Sequence, residues 1–141
     1  MSDRIDSQRA PEPVGRYPHA RRVGNLLFLS GIGPRSRGHK AIPGVTLGPA
    51  GKVASYDIEV QCRSVFANVR AVLEEAGATW EDLVDVTVYL TDMERDFATY
   101  NRLWAEHFGA ESAPCRTTLG ITALPTPIAV ELKCVAVLRD S

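Results

Sequence analysis

The amino-acid sequence predicts an α+β domain, a mixed β-sheet with two helices packed on one face. Three observations carry this reading. Segments 57–76 and 95–108 repeat apolar residues at three- and four-residue spacing, the period of a helix with one buried face. Segments around 19–30, 83–92, 115–121 and 128–138 are β-branched or apolar over strand lengths. Their order is β-β-loop-α-β-α-β-β within 141 residues, enough chain for a single domain with a sizeable core.

Residues 1–14 are rich in proline and charge and read as a frayed, flexible tail, leaving 15–141 as one domain. The run "NLLFLS" (25–30) reads as a buried strand, and "HARRVG" (19–24) as its hairpin arm. Residues 31–54 hold six of the eleven glycines and three prolines. They read as a long irregular connection, which in a compact domain points to function. The helix over 57–76 buries Ile58, Cys62, Val65, Val69, Val72 and Ala76. Asp57 and Glu59 suit its positive N-terminal end, and Gly77 suits its stop. Thr79 to Asp82 has the spacing of a capping box. "LVDVTVYLTD" (83–92) reads as a strand, and 95–108 as a helix through Phe97, Tyr100, Leu103 or Trp104, and Phe108. Two strands follow, 115–121 and 128–138, with "ALPTP" as the turn between them. In the last strand Val130, Leu132, Cys134, Ala136 and Leu138 share one face. The other face carries Glu131 and Lys133 but also Val135 and Val137. With the helices on one side, this second, partly apolar face needs a partner, and a homo-oligomer supplies one.

Charge and composition exclude several classes. The net charge of −1 offers no basic excess for nucleic acid. No apolar run reaches membrane-spanning length. The polar first 22 residues lack a signal-peptide core, so the expected compartment is the cytoplasm. Cys62, Cys115 and Cys134 show neither disulfide nor zinc spacing and read as small buried hydrophobes. His19, His39 and His107 are scattered, so no metal site is expected.

Two charges stand out against apolar strands: Arg116 near the start of 115–121 and Glu131 in the last strand. If those strands pair antiparallel through "ALPTP", the two side chains approach each other. Two arrangements fit. One is a half-buried ion pair of little net stability. The other is a site in which Arg116 grips a carboxylate and Glu131 moves protons or activates water. Ser30 could face a cleft or simply form a turn, and no GxSxG elbow surrounds it. Tyr17 could cover an edge, and Asn101 could be helix packing. The loop "GPRSRGHK" is either a solvated loop or an anion-attracting rim.

At these residues the chain resembles the RidA/YjgF family of imine and enamine deaminases. The resemblance runs from about Tyr17 to Arg139 through "NLLFLSG", "NVRAVLEEAGATWEDLVDVTVYLTDM", "DFATYN", "PCRTTLGI" and "ALPTPIAVELKCVAV". Pro114, Arg116, Leu124, Pro125, Val130 and Glu131 reproduce the family's proline–arginine, "LP" and "VE" signature. The resemblance implies a chorismate-mutase-like fold, a barrel-like homotrimer with clefts between subunits, and hydrolytic chemistry without a cofactor. It implies that Arg116 binds a substrate carboxylate, that Glu131 positions water or shuttles a proton, and that Tyr17, Ser30 and Asn101 line the cleft. Thr118 stands where familiar members carry cysteine, so no thiol chemistry is implied there. The connection over residues 32–55 is about ten residues longer than is usual in the family. With "YPHARR" (17–22), it is similar to bacterial 2-aminomuconate deaminases of aromatic-compound breakdown. That branch implies a substrate with two carboxylates and a pairing of trimers into hexamers. A second carboxylate needs a second cation, and Arg35 or Arg37 of the loop is the expected one.

Overall fold

The computed structural model describes residues 3–139. Eight strands and two α-helices follow in chain order. They are β1 (Arg4–Ile5), β2 (Ala20–Val23), β3 (Leu26–Leu29), β4 (Val45–Leu47), β5 (Val53–Tyr56), α1 (Ile58–Glu75), β6 (Leu83–Leu90), α2 (Met93–His107), β7 (Cys115–Gly120) and β8 (Val130–Val137). The main sheet runs β1-β2-β3-β8-β6-β7, and β4 and β5 form a separate hairpin. The expected architecture holds: a mixed sheet with two helices packed on it.

Local chemistry sets the helix ends where the sequence predicts them. The Asp57 carboxylate accepts the N–H groups of Glu59 and Val60 at 3.0 and 3.2 Å and opens α1. Gly77 follows α1 at a φ of 82°, a left-handed conformation natural to glycine, while the Ala78 N–H reaches back to the Leu73 carbonyl at 2.8 Å. In the Thr79–Asp82 turn the Asp82 carboxylate accepts the Thr79 N–H at 2.9 Å.

The strands alternate strictly. Val86, Val88 and Leu90 of β6 pair with Cys134, Leu132 and Val130 of β8 on the face covered by the helices, and all six are essentially buried. Val65, Phe66, Val69 and Val72 of α1 complete that core. The opposite face carries Leu26 and Phe28, paired with Val137 and Val135, and both β3 residues are well exposed. This is the partly apolar second face expected from the last strand.

Four expectations are corrected. First, β7 does not pair with β8. It pairs parallel with β6, which also pairs antiparallel with β8 and so lies between them. The helix α2 connects β6 to β7, and a strand–helix–strand unit returns parallel. Second, the long connection is not wholly irregular, because β4 and β5 pair within it around a turn at Gly48–Gly51. Third, where described, residues 3–14 are packed rather than frayed: β1 pairs with β2, and Ser7, Ala10 and Pro11 are buried. Fourth, Cys62 and Cys134 are buried but Cys115 is exposed on the edge strand β7. Burial pushes both interior thiols up to about 12, which leaves them inert.

Candidate functional site

The predicted site residues fall into two groups, on opposite faces of the sheet. Glu131 pairs in register with Tyr89 on the open face. Arg116 pairs with Val86 on the helix face of the edge strand β7. Two strand spacings separate β7 from β8, about 10 Å, and the rows differ by three residues, about another 10 Å. A direct Arg116–Glu131 contact within one chain is therefore excluded, and so is the ion-pair reading.

The first group surrounds a cavity of about 150 Å³. Its walls include Tyr17, Ser30, Gly31, Arg35, Ile128 and Glu131, all from this chain. Burial raises the Glu131 carboxyl above its ordinary value of 4.5, and the Arg35 charge opposes that shift. The cavity approaches Glu131 because residue 31 is glycine. A Cβ there would stand 2.8 Å from Glu131 Oε2, inside contact distance. Gly31→Ala is therefore expected to displace the carboxylate. Under the role for Glu131 proposed below, kcat then falls by at least about tenfold with an unchanged circular-dichroism spectrum.

The Ser30 hydroxyl donates to the Pro18 carbonyl at 2.7 Å, which turns its oxygen toward acceptor duty in the cavity. The Tyr17 hydroxyl accepts the Val14 N–H at 3.3 Å. The remaining wall is the N-terminal segment, which composition alone reads as a tail. His19 holds it. Its Nδ1 accepts the Ser7 N–H at 2.9 Å, so Nε2 carries the proton and donates to the Pro11 carbonyl at 2.7 Å. Arg37 holds it from the other side, donating to the carbonyls of Ala10 at 2.7 Å and Ser7 at 2.9 Å. Arg37 thus binds protein rather than facing the cavity. Arg35 does face the cavity, with one donation to the Glu12 carbonyl at 2.6 Å.

The second group surrounds Arg116. One Nη donates to Asn101 Oδ1 at 2.7 Å. The guanidinium lies 5.0 Å from the Trp104 ring and 5.8 and 5.9 Å from those of Phe97 and Tyr100. These aromatic partners, missed as site residues, were visible as three apolar positions of α2 at helical spacing. Thr118 is half-buried on the same face of β7. The contacts fix the guanidinium plane while Nε and the other Nη make no hydrogen bond among the described residues. A planar fork held this way suits a carboxylate.

The result is a two-layer α+β domain that sets a half-buried carboxylate in a small cavity and an oriented arginine on the opposite sheet face. The chain belongs to the RidA/YjgF family: residues 7–138 match the family model described as Endoribonuclease L-PSP. A RutC family protein of Pyrococcus abyssi is 38% identical over 135 residues, covering 94% of each chain. The chloroplastic Reactive Intermediate Deaminase A of Arabidopsis thaliana is 34% identical over 95% of this chain and 65% of its own. Among solved structures, yeast Mmf1 superposes with a TM-score of 0.83 at 27% identity, covering 99% of this chain and all of the other. The YjgF gene product from E. coli superposes with a TM-score of 0.81 at 29% identity, covering 98% and 100%.

Among the described residues no helix is long and apolar enough to cross a membrane.

Proposed function

We propose that this protein hydrolyses a carboxylate-bearing enamine or imine to a keto acid and ammonia, without a cofactor. The observation that carries the reading is the pair of half-sites: a half-buried acid that ionises late, and an arginine with its fork free. An enamine first takes a proton at carbon and becomes an iminium. Water hydrogen-bonded to the Glu131 carboxylate loses a proton to it and attacks the iminium carbon. Glu131 then returns the proton to nitrogen, and the carbinolamine collapses to C=O and ammonia as its hydroxyl proton goes to solvent, balancing the solvent proton taken up at carbon. Such substrates hydrolyse readily in water, so fixing one carboxylate through Arg116 and placing one water supplies much of the barrier reduction. Tyr17 and Ser30 border the water, while Asn101 orients Arg116 and Thr118 lies beside it.

Because Glu131 and Arg116 lie on opposite faces, one substrate reaches both only where the open face of one protomer meets the β7 edge of another. A homotrimer with three such clefts, covering Leu26, Phe28, Val135 and Val137, satisfies this requirement. The exposed β4–β5 hairpin is the surface for pairing trimers into a hexamer. The proposed compartment is the cytoplasm; the relatives from Arabidopsis and yeast are named for the chloroplast and the mitochondrion.

The first substrate proposed is 2-aminomuconate, giving 4-oxalocrotonate and ammonia. The second reading is a general deaminase of 2-imino acids, favoured by the likeness to Reactive Intermediate Deaminase A. Ammonia release from freshly generated 2-aminomuconate and from the imine of alanine separates the two. Release above the spontaneous rate from the first alone supports the dedicated enzyme, and from both the generalist. Release from neither leaves a binding protein and ends the deaminase reading.

A further inference from the structure

We infer that Arg35 is a specificity residue that reads a second carboxylate, so that the cleft selects dianionic over monoanionic substrates. This rests on the deaminase reading for its substrate chemistry but on the cavity for its argument. Of the basic side chains in the 31–54 connection, Arg35 alone borders the Glu131 cavity. Arg37 is occupied by the carbonyls of Ser7 and Ala10 and lies 3.6 Å from the Glu12 carboxylate. His39 and Lys40 are exposed.

Arg35 is held without being neutralised. Its single hydrogen bond goes to the carbonyl of Glu12, not to a carboxylate. No ion pair within 4.0 Å joins it to Glu131 or to any other acid among the described residues. Its charge reaches Glu131 only through space, and burial still raises that carboxyl overall. The guanidinium therefore keeps Nε and one Nη, with their protons, available to an anion inside the cavity. A monocarboxylate bound at Arg116 leaves this cation unanswered, and a dicarboxylate long enough to span the cleft answers both.

The test uses two six-carbon dienoic acids that differ by one carboxylate, muconate and sorbate, titrated calorimetrically into the wild type, Arg35→Gln and Arg37→Gln. The wild type is expected to prefer muconate by about 10- to 100-fold, the size of charge-assisted hydrogen bonds. Arg35→Gln collapses that ratio toward one, and Arg37→Gln preserves it. Arg35→Gln also removes the charge that holds the Glu131 carboxyl down, which moves the acid limb of turnover upward on both substrate classes, so the muconate-to-sorbate ratio is the deciding quantity. A ratio unchanged by Arg35→Gln, or one lost equally in Arg37→Gln, overturns the inference. If the ratio behaves as expected while no imine is deaminated, the anion site stands and the deaminase reading fails. If imines are deaminated while the ratio ignores Arg35, the inference fails and the deaminase reading stands.

Discussion

Replacing Glu131 by glutamine is expected to lower turnover by about 10²- to 10⁴-fold, the range for loss of a positioned acid–base group, while leaving ligand binding and folding in place. Glutamine has the same length and still accepts and donates hydrogen bonds, but it cannot take a proton from water. The folded chain does not depend on the charge. Burial already disfavours ionisation of this carboxyl, so the amide removes a desolvation penalty, and Tm is expected to hold or rise slightly. The pH profile checks the same assignment. The ionised carboxylate is the base, and burial raises its pKa above 4.5, so the acid limb of kcat on an imine substrate should lie above that value. An acid limb at or below it, or retained turnover in Glu131→Gln, removes Glu131 from the mechanism.

Replacing Arg116 by alanine is expected to lower kcat/KM by at least about 10²-fold, chiefly through lost charge-assisted bonds to the substrate carboxylate. Lysine should not rescue it, because an ammonium lacks the planar fork that Asn101 and the Trp104 ring hold in place. Folding should survive. Arg116 lies on an edge strand and makes no ion pair within 4.0 Å among the described residues. Calorimetric loss of sorbate affinity would confirm a binding defect. Unchanged affinity with lost turnover would assign Arg116 to the chemical step instead.

The elements whose meaning is local were legible in the sequence. The period of Cys62, Val65, Val69 and Val72 marks α1, Asp57 and Gly77 mark its ends, and the alternation of β8 marks one buried and one open face. That alternation already placed Glu131 away from the helices. Strand partners were less legible, because the residues of β7 suit a pleated surface whichever neighbour they pair with. A helix-length connection between β6 and β7 was the available signal for parallel pairing, and it would have separated Arg116 from Glu131 at once. The N-terminal segment reads as a tail because prolines and charges dominate it, whereas its order comes from His19 and Arg37, distant in sequence. The β4–β5 hairpin is short, exposed and framed by glycines, so no periodicity announces it. The two charges proposed to act were visible for the opposite reason: a guanidinium and a carboxylate stand out in strands whose only other charge is Lys133.

The central claim is that Glu131 and Arg116 act on one substrate from two different chains. It rests on their opposite faces together with the proposed deamination, and it is tested by co-expressing Glu131→Gln and Arg116→Ala chains with distinct tags and purifying the mixed oligomer. Each variant alone should be inactive. Every trimer that carries both tags has about one cleft in three with an intact Glu131 from one chain and an intact Arg116 from the next. The mixed oligomer should therefore release ammonia at about a third of the wild-type rate. A mixed oligomer that carries both tags yet stays as inactive as its parents would contradict the account.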